Sequence, residues 1–336
     1  MSDIRYNLLD DRFVIIAPER LSRPLCNQAQ TKIKVNSCPF CEGNESMTTP
    51  EIYAPRKPST QPNKKGWHNR VVPNLYTAVN IETKNYIKHS GIFNSHNGFG
   101  AHEILIDTPN HTLEMHEWSQ ETYINWFTTL IHRIKDLKSN KDLLSLTIFK
   151  NSGIIAGASQ EHPHTQLIAL PIIPTTLLQQ YHRFSQHYHN TGHILIEDMI
   201  VQEYQDNRVI TENKDFVAFC PYASEYPFEV MIVAKEGLSR LEYINPTELP
   251  SLAAILSKVF GQLNNTLGHF DFNLFVSMAP LQKNSQTESF FDEIDSISRF
   301  YIRITPRIYQ HAGFEVATQM MINPIEPQEA ARRLQI

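Results

Sequence analysis

Glycine and long apolar runs are scarce in this chain of 336 residues. Only 12 glycines are present, and neither G-x-G-x-x-G nor G-x-x-x-x-G-K-[ST] occurs, which excludes the two common glycine-rich nucleotide-binding loops. No apolar run reaches the roughly 18 residues that a membrane helix needs. No basic block occurs and the net charge is −5, so we do not expect a general nucleic-acid or anionic-membrane binder.

Cysteine is also scarce. Four cysteines are too few for a disulfide scaffold in a chain of this length. The first residues are polar and acidic, so we expect no signal peptide and a cytoplasmic protein with reduced thiols. The C-x-x-C pair, Cys38 and Cys41, is then half of a metal site, a redox motif or a pair of reduced core cysteines.

Hydrophobic patterning predicts an α+β fold built from two similar halves. Each half has the order strand, strand, long helix, strand, strand, with the long helices expected at 118–137 and 247–267. Residues 1–66 are expected to be irregular, and 189–191 to link domains at 1–190 and 191–336. A short polar helix is expected at 325–334. Each strand of the first half has an equivalent in the second. The equivalent segments are RVVPNLY and FVAFCPY, EILIDTP and EVMIVAK, LTIFKNS and NLFVSMA, and HTQLIALP and YIRITPRI.

Residues 151–166 concentrate the polar chemistry. Small residues at 153 and 156–159 let a ligand approach the backbone, where free amides can donate to phosphate oxygens. His164 and Gln166 then alternate onto one face of a predicted strand. A neutral imidazole is a nucleophile at pH 7 if an acceptor holds its other nitrogen. The pattern therefore favours a histidine that attacks phosphorus over a polar loop with surface histidines.

The motif N-x-G-x-x-x-G-x-S followed by H-P-H-x-Q resembles the active-site signature of the galactose-1-phosphate uridylyltransferase family, within the histidine-triad superfamily. The similarity covers nearly the whole chain, because APERLSRP, SCPFCEGNE, NRVVPNLY, IDTPNH and GFE follow the family's order. It implies duplicated histidine-triad-like units with antiparallel sheets and packed helices.

The resemblance also implies a role for each matching residue. His164 corresponds to the nucleophile that becomes nucleotidylated, and Gln166 to a glutamine that hydrogen-bonds the transferred phosphoryl group. The implied substrate contacts are Arg20, Arg23, Asn74, Asn151, Gly157, Ser159 and Glu315. The implied ligands of one structural Zn²⁺ are Cys38, Cys41, His111 and His162.

Three departures from the family pattern leave the substrate open. Thr165 stands where these enzymes usually have glycine. Met321 stands where a glutamine contacts the hexose phosphate. The late strand at 298–303 has no H-x-H, so we expect the family's second metal site to be absent. The A-G-A-S and I-N-P segments are similar to the branch that includes ADP-glucose phosphorylase.

We therefore expect a nucleotidylyltransferase that moves a nucleoside monophosphate between sugar phosphates through a covalent nucleotidyl-histidine. The alternatives are a phosphorylase of ADP-glucose or of a dinucleoside polyphosphate, and a non-catalytic zinc-stabilised nucleotide-binding module. The expected partners are a nucleoside diphosphate sugar and a sugar 1-phosphate or phosphate, with a homodimer as one possible assembly. No nucleic acid or membrane partner is expected.

Overall fold

The computed structural model describes residues 2–22 and 38–335, so Arg23 lies outside the described residues. The strands are β1 Asp3–Asn7, β2 Arg12–Ile16, β3 Arg70–Pro73, β4 Ile87–Ser90, β5 Phe93–His96, β6 Ala101–Ile106, β7 Ser145–Ser152, β8 His164–Leu170, β9 Val209–Glu212, β10 Phe216–Phe219, β11 Val230–Ala234, β12 Phe272–Val276, β13 Tyr301–Pro306 and β14 Met321–Asn323. The helices are α1 Gln120–Ser139, α2 Thr175–Thr191, α3 Leu195–Gln205, α4 Leu249–Leu267, α5 Ile294–Ile297, α6 Gly313–Thr318 and α7 Pro327–Leu334.

The main sheet has nine strands in the order β3-β6-β8-β7-β12-β13-β11-β10-β9. The first four strands repeat, from the opposite direction, as β10-β11-β13-β12. This order confirms the duplicated unit and the four predicted equivalences between strands of the two halves. The halves lie side by side because β7 pairs antiparallel with β12, where Phe149 lies opposite Phe275.

One face of this sheet is covered by the two long helices that the periodicity predicts. The Ser119 side chain caps α1 by accepting from the backbone amide of Thr122 at 3.1 Å. Helix α1 packs against α4, and both helices bury apolar side chains against the sheet. The buried face of α1 is formed by Tyr123, Trp126, Phe127, Leu130 and Ile134.

The other face is covered unevenly. In the second half, α2, α3 and α5 pack on it. In the first half, Phe40 and Trp67 pack on Val72, Ile104 and Ile106. The N-terminal segment with the C-x-x-C pair therefore lies on this face of the sheet, beside the start of β8.

Several elements differ from the sequence predictions. Residues 1–66 are not wholly irregular, because β1 and β2 form an antiparallel pair and β14 pairs parallel with β2. Residues 189–191, which were expected to link the halves, are helical. They form the last turn of α2, which ends at Gly192 with a φ of 76°. The predicted helix at 325–334 is α7, and it buries one face against α4. The boundary between residues 190 and 191 stays a prediction.

Among the described residues, no helix has the length and hydrophobicity needed to cross a membrane.

Candidate active site and metal cluster

His164 is the first residue of β8 and lines a cavity of about 430 Å³. Strand alternation directs Thr165 and Leu167 towards the helices, and His164 and Gln166 towards the opposite face. Gln166 lines the same cavity. Phe40, Asn74, Tyr76 and Ser159 also line this cavity.

The protonation state of His164 follows from its contacts. Its Nδ1 lies 2.9 Å from the carbonyl oxygen of His162. Because a carbonyl can only accept, Nδ1 carries the hydrogen and Nε2 keeps its lone pair. Burial lowers the pKa of His164, and the nearby Lys150 cation acts in the same direction. The ring is therefore neutral at pH 7, the form that a nucleophile needs.

Four side chains form a cluster that could hold a metal ion. The ligand atoms of Cys38, Cys41, His111 and His162 all lie within 4.8 Å of one another. Cys41 Sγ is 3.4 Å from His111 Nδ1 and 3.7 Å from His162 Nδ1. A tetrahedral zinc ion with ordinary bond lengths separates its sulfur and nitrogen ligands by about 3.5 Å. The spacing thus fits such an ion.

The protonation states in this cluster also suit a cation. His162 Nε2 lies 2.7 Å from the carbonyl oxygen of Thr108, so Nε2 donates and Nδ1 offers its lone pair to the cluster. Burial, together with the neighbouring Cys38, raises the pKa of Cys41 to about 11. The Cys41 thiolate is therefore stable here only beside a positive charge, which a metal ion would supply. His162 connects this cluster to His164, because its carbonyl oxygen accepts from the His164 ring.

A buried network lies beneath the start of β8. Asp107 Oδ1 accepts from Trp126 Nε1 at 3.0 Å and from Thr165 Oγ1 at 2.8 Å, and Oδ2 accepts from Lys150 Nζ at 2.6 Å. Lys150 Nζ also lies 3.3 Å from the carbonyl oxygen of His164. Breaking such a buried ion pair would leave an uncompensated charge, and the contact of Lys150 with the carbonyl of His164 ties the backbone of His164 to this network. Thr165, which stands where the family usually has glycine, thus belongs to this buried network through its bond to Asp107.

The small-residue loop before β8 is fixed by the second half of the chain. Gly153 has a φ of 84°, and a Cβ there would lie 1.9 Å from Asp271 Oδ1, so only glycine fits. Asn273 Nδ2 donates to Asn151 Oδ1 at 2.8 Å. The amide of Gly157 donates to the carbonyl oxygen of Ile154 within the loop. It is therefore not the free donor expected from the sequence. Ser159 lines the cavity, whereas Asn151 and Gly157 do not.

The remaining predicted substrate contacts are divided between two places. Asn74 lines the cavity. Arg20 follows β2 and Glu315 lies in α6, which precedes β14. Both therefore neighbour the small three-stranded sheet rather than the cavity. Glu315 Oε2 accepts from the amide of Ala312 at 2.9 Å and so caps its own helix.

His102 is a site residue for which the sequence pattern predicts no role. It lies on β6, and its Nε2 is 3.1 Å from Gln166 Oε1. Finding it requires knowledge that β6 and β8 are neighbours, with Ile104 opposite Gln166. A sequence that shows only alternation along one strand does not contain that pairing.

In the second half, the strand equivalent to β8 is β13, and it has no histidine at the corresponding positions. In the strand register, Tyr301 and Arg303 occupy the positions that His164 and Gln166 occupy in the first half. Arg303 donates to Asp10 at 2.6 Å, so this position holds a buried ion pair. The pair of His164 and Gln166 therefore has no counterpart on β13.

Comparisons with known proteins match almost the whole chain to one family. The family models described as galactose-1-phosphate uridyl transferase, N-terminal and C-terminal domains, match residues 1–174 and 178–320. ADP-glucose phosphorylase of Arabidopsis thaliana is 27% identical and covers 98% of this chain and 91% of its own length. Galactose-1-phosphate uridylyltransferase of Schizosaccharomyces pombe is 27% identical, covering 98% and 93%. The crystal structure of an A. thaliana ADP-glucose phosphorylase with bound ADP-glucose superimposes with a TM-score of 0.83 at 25% identity, covering 100% of this chain and 98% of that one.

Proposed function

The chain belongs to the galactose-1-phosphate uridyl transferase family, and from this premise we propose that it transfers a nucleoside monophosphate between sugar phosphates with His164 as the nucleophile. The supporting observation is the state of the His164 ring. Nδ1 is bonded to a carbonyl, the ring is neutral, and the side chain lines a cavity large enough for a nucleotide.

The reaction has two displacements at one phosphorus atom. The lone pair of His164 Nε2 attacks the α-phosphorus of a nucleoside diphosphate sugar, a P–N bond forms, and the P–O bond to the sugar phosphate breaks. The sugar 1-phosphate leaves with that electron pair. An acceptor phosphate oxygen then attacks the same phosphorus and the P–N bond breaks. The Gln166 amide donates to the phosphoryl oxygens in both steps.

For the metal cluster we propose one Zn²⁺ held by Cys38, Cys41, His111 and His162. Four protein ligands leave no open position, so the ion is structural rather than a Lewis acid for substrate. It would join the N-terminal segment, the segment after β6 and the start of β8. Arg20, Asn151, Gly157, Ser159 and Glu315 stay proposed substrate contacts.

ADP-glucose phosphorolysis is the second candidate for the overall reaction. Two findings favour it: the A. thaliana phosphorylase covers nearly the whole chain, and Met321 stands on β14 where a glutamine would be needed. A thioether is at best a weak acceptor and cannot donate to a sugar phosphate. Inorganic phosphate would then be the acceptor, and ADP and glucose 1-phosphate the products.

An acceptor panel tests the proposed function. Nucleotidylated protein is isolated and offered glucose 1-phosphate, galactose 1-phosphate or inorganic phosphate separately. We expect glucose 1-phosphate or inorganic phosphate to discharge the adduct. We expect galactose 1-phosphate to react roughly tenfold to a hundredfold more slowly than it does with a typical galactose-1-phosphate uridylyltransferase, the effect of one missing hydrogen bond. Met321→Gln should raise the galactose 1-phosphate rate. If no acceptor discharges the adduct, double displacement is wrong, and a strong preference for galactose 1-phosphate would contradict the role of Met321.

The separation of Arg20 and Glu315 from the cavity supports a homodimer in which a second copy brings them to His164. We expect His164→Ala and Glu315→Ala variants, each inactive, to regain about one quarter of wild-type activity when mixed, since half of the randomly paired dimers hold one intact site. Mass spectrometry must show that subunits have exchanged. Exchange without any recovery of activity would contradict the shared site.

A further inference from the structure

The two ring nitrogens of His102 face different hydrogen-bond partners. The backbone amide of Ala78 donates to Nδ1 at 3.1 Å. Because a backbone N–H can only donate, Nδ1 must be unprotonated, and the neutral ring then carries its hydrogen on Nε2. The tautomer of His102 is therefore fixed by the main chain rather than by its polar neighbours.

The protonated Nε2 determines the orientation of Gln166. It lies 3.1 Å from Gln166 Oε1, which accepts this hydrogen bond. An amide has its oxygen and its NH₂ group on opposite sides, so the Gln166 NH₂ group is directed away from His102. Gln166 and His164 line the same cavity.

The orientation of the Asn74 amide also follows from its hydrogen-bond partners. Its Oδ1 accepts from the amide of Tyr76 at 2.9 Å, so its Nδ2 is the atom 3.0 Å from His102 Nε2. Both of these nitrogens are donors, so they do not bond to each other. The Nε2 hydrogen goes to Gln166, and the Asn74 hydrogens are available to an acceptor in the cavity.

We propose that His102 is a positioning residue that holds the Gln166 amide with its NH₂ group towards the transferred phosphoryl group. This inference rests on the proposed function. A reversed amide would place the Gln166 oxygen against phosphoryl oxygens, which repels the negative charge that the transition state spreads over them. The relay from the Ala78 amide through the ring to Gln166 excludes that reversed orientation.

The side chain at 102 must accept on one side and donate on the other. Glutamine can do both, whereas leucine can do neither. His102→Leu should slow single-turnover nucleotidylation about tenfold to a hundredfold, with nucleotide affinity changed only a few-fold. His102→Gln should recover most of the rate. His89→Leu, on the exposed hairpin of β4 and β5, is the matched control and should leave the rate unchanged.

A double-mutant cycle separates positioning from general damage. In a Gln166→Ala background, adding His102→Leu should slow nucleotidylation less than about twofold, because the side chain to be oriented is gone. If His102→Leu slows this background as much as it slows the wild type, or leaves the wild type unaffected, the positioning role is overturned.

Nitrogen NMR gives a readout that does not depend on turnover. In protein labelled at histidine, His102 should show an unprotonated Nδ1 and a protonated Nε2. The opposite tautomer overturns the positioning role even if the enzyme is active. If the wild type forms no adduct, the proposed function fails together with the catalytic consequence assigned to His102, whereas a normal adduct rate in His102→Leu overturns the positioning role alone.

Discussion

His164→Ala is expected to abolish the nucleotidyl adduct and to lower turnover by about 10⁴-fold or more, the scale on which loss of a covalent nucleophile acts. The reason is that the two displacements share this one ring. Its Nδ1 is held by the carbonyl of His162 and burial keeps it neutral. Among the described residues, no other imidazole lines the cavity. Rapid-quench measurement of adduct formation, together with steady-state turnover, gives both quantities.

Two controls show whether the loss is chemical. The alanine variant should melt within a few degrees of the wild type, because the residue lines a cavity rather than the main apolar core. His164→Gly should recover some nucleotide transfer when imidazole is added, since free imidazole can occupy the vacated position. An acid-labile adduct that persists in the alanine variant would show that another residue is the nucleophile.

Cys38→Ser is expected to release the metal ion, lower the melting temperature by on the order of 10 °C and reduce activity as a consequence. The ion would join three chain segments that are distant in sequence, and without it two half-buried thiols and two imidazoles face one another. Because the carbonyl of His162 accepts from the His164 ring, loosening His162 would also loosen His164. Metal analysis by mass spectrometry and thermal melting measure the two direct effects.

Cys220→Ala provides a matched control, since it removes a buried thiol that lies in the second half and outside the cluster. This variant should keep about one zinc per chain and retain activity. Wild-type protein that stays folded and active after chelation, with no bound metal, would contradict the zinc assignment. A stoichiometry of two metals per chain would contradict the expected loss of the second site.

The duplicated sheet could be predicted from sequence because its strands are short, mostly apolar segments and its two long helices have clear apolar periodicity. The hairpin of β1 and β2 was not predictable in the same way. These strands have five residues each, and their partner β14 lies some 300 residues away, a long-range pairing that local patterning does not contain.

The site shows the same division between local and long-range information. His164, Gln166 and the four proposed metal ligands belong to short motifs, and the structure brings each group together. His102 contacts Gln166 only because β6 and β8 are neighbours. The loop amides were expected to be free, but the amide of Gly157 bonds within its own turn, a detail that depends on backbone angles rather than on residue type.

Mass spectrometry of the intact and the digested wild-type protein, after incubation with ADP-glucose and, separately, with UDP-glucose, shows directly whether nucleotide transfer passes through His164. We expect an added mass of one nucleoside monophosphate on the peptide that contains His164, removed by acid and absent from His164→Ala. The base of the adduct would identify the donor. Release of sugar 1-phosphate from either nucleotide sugar without any added mass on the protein would contradict covalent transfer through this histidine.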